Sequence, residues 1–305
     1  MRNADARERE PATMWSRDDV VLRGGLRLAV FAAGRARGEA PTLVLVHGLG
    51  HWTQAAWDRL AALLGDAYHL VAFDLPGFGD SDKPDARYDP DFFVDTLGAL
   101  VDHLRLDGFG LVGHSLGGLI AASYAARAPE RVSLLALLDP AGFRRTGRLV
   151  LLAAASRPAA WIFGFRPPDR LVARTLERAT VDPSVVPKSD YERAVRLARD
   201  PAYRRAFARV YASALPAVLA LDALHRRLTE YRGPVLLFWG RHDRYVPIGA
   251  LTGARRVYPH ADVTILERSA HLPQVEEPEP VAARLRAAFP LAHADAAATA
   301  PNGAP

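Results

Sequence analysis

The sequence predicts an α/β protein in which a mostly parallel sheet carries helices on both faces and is interrupted by one helical insertion. Three observations point there. Short apolar runs alternate with longer helix-like stretches, several of those runs are apolar at every position, and the alternation lapses once, between about Phe143 and Pro216. A strand that is apolar throughout is expected where helices cover both sheet faces. At 305 residues, half of them hydrophobic, the chain can bury one large core, or one core with a subsidiary unit.

In chain order the strand candidates are residues 26–31, 42–46, 69–73, 110–112, 132–138, 235–239 and 263–266. Helix candidates between them are 55–64, 91–105, 118–128, 248–257 and 280–289. Beyond Phe143 the chain turns Arg-rich and is broken by Pro158, Pro167, Pro168, Pro183, Pro187 and Pro201, which delimit short helices and loops. A helical cap is therefore expected over 143–215, after the sixth sheet strand, with the core at 15–142 and 216–291. Residues 1–14 and the Ala/Pro-rich 292–305 lack the bulky apolar side chains that dock a terminus.

The net charge of +5 does not predict a nucleic-acid partner. Lys83 and Lys188 are the only lysines, acidic residues are interspersed with the arginines, and no aromatic-basic stripe accompanies them. The absence of cysteine excludes disulfides, thiolate catalysis and Cys-based metal sites. The charged N-terminus is followed by no apolar signal region, and the apolar stretch 149–155 falls short of the roughly 20 residues a membrane helix needs. A cytoplasmic protein without stable membrane insertion, monomeric or homodimeric, is expected.

The sharpest local signal is Gly113-His114-Ser115-Leu116-Gly117-Gly118, directly after a strand candidate and directly before a helix candidate. This is a nucleophile elbow: the strand-to-helix turn is tight, so its flanking positions exclude side chains while the serine hydroxyl projects into a cleft. A serine hydroxyl needs a base, and the base needs a partner that fixes its tautomer. Asp243 follows the strand candidate 235–239 and His271 follows 263–266, so all three groups lie beyond the carboxyl ends of parallel strands, where open α/β sheets bind ligands. The chain order Ser, Asp, His also suits this architecture. Asp139, at the end of 132–138, is a rival acid, whereas His114 is expected to pack behind the nucleophile and His242 to point away. Oxyanion donors are expected at the N–H of Leu116 and, from the loop His47-Gly48-Leu49-Gly50, at the N–H of Leu49.

Together these segments resemble the α/β-hydrolase superfamily, in its capped esterase, C–C hydrolase and epoxide hydrolase branch. The resemblance spans about residues 26–290 and also includes Asp74-Leu75-Pro76-Gly77-Phe78-Gly79-Asp80-Ser81 and His271-Leu272-Pro273 running on to Glu276 and Pro278. It implies an eight-stranded, mostly parallel sheet, a helical cap over the cleft, and no cofactor or metal. Related epoxide hydrolases and haloalkane dehalogenases carry aspartate where this chain has Ser115, and C–C hydrolases often carry Asn where it has His114. The expected function is hydrolysis of carboxylic esters of small or medium hydrophobic substrates through an acyl-enzyme. C–C hydrolysis of vinylogous diketones and a weakly hydrolytic sensor are the alternatives. His47, Gly48, His114, Trp161, Phe163 and Phe165 are candidate substrate contacts. With Ile162, the three cap aromatics line a pocket, pack the cap onto the core, or face a membrane as a lid.

Overall fold

A computed structural model describes residues 14–144, 166–219 and 221–289. The expectations for the two chain ends and for Trp161, Ile162, Phe163 and Phe165 fall largely or wholly outside these residues. Among the described residues one sheet holds eight strands: β1 (Ser16–Val21), β2 (Arg27–Gly34), β3 (Thr42–Val46), β4 (His69–Phe73), β5 (Phe109–His114), β6 (Val132–Leu138), β7 (Val235–Gly240) and β8 (Asp262–Leu266). Their spatial order is β1-β2-β4-β3-β5-β6-β7-β8. β2 runs antiparallel to both neighbours and every other pairing is parallel.

The strands that read as continuously apolar do so because alternate residues enter two different cores. Leu43 and Leu45 of β3 pack with Trp57, Leu60 and Leu64 of α1 (Thr53–Leu64) on one face. Val44 and Val46 join the opposite core with Leu97 of α2 (Pro90–His103) and Ile120 of α3 (Leu116–Arg127). β1 was not among the expected strands, and its sequence shows why: in SRDDVV only Val20 is buried. A charged edge strand discourages further pairing and leaves no apolar run to recognise.

Between β6 and β7 the described chain is helical: α4 (Asp169–Arg178), α5 (Lys188–Arg199), α6 (Pro201–Leu219) and α7 (Leu221–Leu228). Pro201 opens α6, where its missing N–H costs nothing. The helix runs on through Pro216, the position at which the core was expected to resume. The core closes with α8 (Leu251–Val257), α9 (Pro273–Glu276) and α10 (Pro278–Ala288). No described helix is long and apolar enough to cross a membrane.

The loop after β4 is organised by Asp74, which is fully buried. Its Oδ1 accepts from the backbone N–H of Thr53 (2.8 Å) and from the Thr53 hydroxyl (2.9 Å), and its Oδ2 accepts from the Asp80 N–H (2.8 Å). Trp52, at the start of α1, offers no side-chain cap, so a carboxylate from a neighbouring strand end supplies it. Asp74→Ala strands two buried donors and should lower stability by about 3 kcal/mol. Urea midpoints read that loss, and Asp74→Asn should recover part of it.

Candidate active site

Ser115 occupies the turn between β5 and α3 with φ +53° and ψ −117°, a conformation that L residues rarely adopt. Four backbone hydrogen bonds hold it there. Its N–H donates to Leu138 O (3.0 Å), and its carbonyl accepts from Gly118 (3.0 Å), Leu119 (3.2 Å) and Ala141 (3.0 Å). Steric contacts close the turn as well. A Cβ on Gly113 would lie 2.4 Å from Gly117 O, and one on Gly117 would lie 2.1 Å from Val46 O.

The structure brings the three distant sequence candidates into one hydrogen-bonded line. His271 Nε2 lies 3.0 Å from Ser115 Oγ, and His271 Nδ1 lies 2.7 Å from Asp243 Oδ2. The other carboxylate oxygen of Asp243 accepts from the N–H groups of Tyr245 (2.6 Å) and Val246 (2.9 Å). Three donors thus converge on Asp243, and the carboxylate fixes the imidazole with its proton on Nδ1 and its lone pair toward the hydroxyl. Asp139 sits behind Asp243, where its Oδ1 accepts from Gly240 N–H (3.0 Å).

Two adjacent glutamates hold the imidazole loop. Glu277 accepts from Arg268 N–H (2.9 Å) and the Ser269 hydroxyl (2.8 Å). Glu276 accepts from Ala270 N–H through one oxygen (2.7 Å) and from Val181 N–H of the insertion through the other (2.5 Å). The insertion touches this region twice more: His271 N–H donates to Ala179 O (2.8 Å), and the Tyr245 hydroxyl donates to Thr175 O (2.9 Å). The Tyr245 ring lies 5.2 Å from that of His271.

Burial keeps three neighbouring histidines, His47, His51 and His114, neutral. His47 is wholly buried, accepts from Leu75 N–H at Nε2 and donates to Gly48 O from Nδ1, so it braces the turn instead of lining the cleft as expected. His114 is also wholly buried and donates from Nε2 to His271 O (2.6 Å), a support behind the imidazole in line with its expected packing behind Ser115 and not a substrate contact. Burial, joined by the neighbouring histidines, pushes the His114 ring well below its usual range and brings His51 down to about 3. His242 is exposed.

The N–H groups of Leu49 and Leu116 donate no hydrogen bond among the described residues. Leu116 is the first residue of α3, where a helix leaves its amides free and its dipole favours negative charge. Sequence reasoning missed the wall beside this loop. Tyr203, Phe207 and Tyr211 stack along α6, the Tyr203 hydroxyl donates to Gly50 O (3.2 Å), and Phe207 packs against Gly50. Their i, i+4, i+8 spacing was the available signal.

Comparison with known proteins agrees with this geometry. The sequence pattern of the α/β hydrolase fold matches residues 41–278, and the chain belongs to that family. A solved structure described as a membrane phospholipase A, a bacterial virulence factor, is 31% identical with a TM-score of 0.71, covering 90% of this chain and 86% of its own. The 2-hydroxymuconate semialdehyde hydrolase of a Pseudomonas species is 28% identical over 286 residues, 91% of this chain and 95% of the relative. A 2-hydroxy-6-oxo-6-phenylhexa-2,4-dienoate hydrolase from Rhodococcus superposes with a TM-score of 0.76 at 24% identity, covering 90% and 99% of the two chains, and shows the shared fold.

Gly48 tests the fit of the turn to the nucleophile. A Cβ there would lie 2.8 Å from His114 Nδ1 and 3.1 Å from Ser115 Cβ. Gly48→Ala should slow fluorophosphonate labelling of Ser115 about tenfold or more, the cost of roughly 1.4 kcal/mol in the barrier, with little change in Tm. Parallel labelling and melting curves check both halves.

Proposed function

We propose that the chain is a serine hydrolase that cleaves carboxylic esters of small or medium, largely apolar substrates through an acyl-enzyme. The single observation that carries this reading is the hydrogen-bonded line from Ser115 Oγ through His271 to Asp243. In the forward step His271 Nε2 takes the hydroxyl proton as Ser115 Oγ attacks the ester carbonyl, and Asp243 stabilises the imidazolium through Nδ1–H. The N–H groups of Leu49 and Leu116 receive the oxyanion. The alkoxide leaves with the proton from His271, and water, deprotonated by the same nitrogen, releases the acid and restores Ser115.

The aromatic row on α6 supports an apolar acyl or alcohol group, because it stands beside the oxyanion loop. The insertion then acts as a cap over the cleft. Ester chemistry is also in keeping with the phospholipase relative, whose likeness covers most of both chains. C–C hydrolysis is the second reading, and the similarity to the 2-hydroxymuconate semialdehyde hydrolase over nearly the full length of both proteins favours it. His114 in place of the asparagine common in such enzymes speaks for the ester.

Ser115→Ala should lower kcat for p-nitrophenyl butyrate by about 10⁴-fold or more, with the fold intact by circular dichroism. Undiminished turnover by that variant overturns the reading. A panel of esters and a vinylogous diketone, compared by kcat/KM on the wild type, decides between the two bond types.

A further inference from the structure

Asp139 is a buried carboxyl group that the mechanism above does not use. It follows β6 with φ +43°, and its side chain is completely inaccessible to solvent. One oxygen, Oδ1, accepts from Gly240 N–H, whereas Oδ2 is buried with no hydrogen-bond partner. An oxygen of Asp139, an oxygen of Asp243 and a ring nitrogen of His271 all lie within 4.8 Å of one another. Two carboxyl groups therefore share a dry space, and they are unequally provided for. Asp243 receives two amide donors and the imidazole N–H, while Asp139 receives one amide.

A carboxyl oxygen that is buried, faces an anion and has no donor of its own is best satisfied by becoming the donor. Besides Asp243 and His271, the charged group that bears on Asp139 is Glu276, another acid, and no Arg or Lys pairs with it among the described residues. Burial first, and the Asp243 charge second, push the Asp139 carboxyl well above the usual carboxylate range. Both effects place the proton of the pair on Asp139, because Asp243 holds the three donors that favour the ionised form.

We propose that Asp139 is a positioning residue: as the neutral acid it donates its Oδ2–H to the Asp243 carboxylate and so fixes the face that Asp243 presents to His271. The proposal rests on the reading of Ser115, His271 and Asp243 given above. It assigns Asp139 a role distinct from the catalytic acid itself, because only a carboxyl that stays protonated can perform it. The hydrogen bond orients Asp243 without adding a second negative charge beside the imidazole.

The test compares Asp139→Asn, which keeps an acceptor for Gly240 and an N–H donor for Asp243 but cannot ionise, with Asp139→Leu, which has no donor. With p-nitrophenyl butyrate at pH 7.5, Asp139→Asn should retain kcat within about threefold of wild type. Asp139→Leu should lose kcat about tenfold or more with KM within about twofold. The second measurement is Tm against pH. The wild-type carboxyl is protonated when folded and ionised when unfolded above its ordinary range, so raising the pH favours the unfolded wild type through this group, a contribution the Asn variant lacks. The Tm of Asp139→Asn minus that of wild type should therefore grow steadily between pH 5 and pH 8. A Tm difference independent of pH overturns the proposal, as does an inactive Asp139→Asn beside an unchanged Tm, which would make Asp139 a working anion. Wild-type kcat in a folded Asp139→Leu also overturns it. If Asp139→Leu does not fold, the Asn variant alone decides through kcat and Tm. Should Ser115→Ala hydrolyse the ester normally, the catalytic reading fails, while the Tm series still reports whether Asp139 is protonated.

Discussion

The site is built around one strained residue. Holding Ser115 at φ +53° costs on the order of 1–3 kcal/mol, and the surrounding fold must over-determine it. It does so through the strand end on one side, by way of Leu138 O, and the three amides of Gly118, Leu119 and Ala141 on the other. The glycines at 113 and 117 are then required by contact distances, because the backbone of α3 is drawn against both β3 and β5. The same turn leaves the first amide of α3 unengaged beside the hydroxyl. Strain at Ser115, the placing of its hydroxyl and an unengaged amide beside it are three consequences of one backbone geometry.

A second constraint is electrostatic. The cleft concentrates His47, His51, His114 and His271 in a space from which water is largely removed, and four imidazolium charges there would repel one another and lose their hydration. Burial settles this for His47, His51 and His114 by keeping them neutral, and their hydrogen bonds are to backbone where they have any. Of these four rings only His271 is hydrogen-bonded to a carboxylate, so an arriving proton is compensated most directly there. Proton transfer is thereby directed by the distribution of partners, not by proximity alone.

How much of this was legible in the sequence follows from which partners are local. The parallel strands announced themselves because both their faces are buried, and β1 did not because its one buried side chain, Val20, gives no pattern. The elbow is a six-residue feature and could be read whole. Ser115, His271 and Asp243 could be grouped from their places after strand ends, which parallel topology gathers on one rim. Asp74, Glu276 and Glu277 lay in visible motifs, yet what they bind is the backbone of segments tens of residues away or of the neighbouring loop, and an amide carries no sequence signature. His47 misled for a related reason: its place in the loop after β3 gave no warning that its ring turns inward to bond backbone, whereas His114, inside the elbow, could be read as packing behind Ser115.

The insertion is attached to the loops that hold His271 and Asp243 and not only to the body of the sheet. Thr175 O, Ala179 O and Val181 N–H are bonded respectively to the Tyr245 hydroxyl, to the His271 backbone and to Glu276. Each such bond is worth about 1 kcal/mol net, comparable to thermal energy scales that permit opening but large enough to bias it. A displacement of α4 that broke them would free the same loop residues that orient His271 and Asp243. The position of α4 and the alignment of His271 with Ser115 and Asp243 are therefore linked through shared backbone groups.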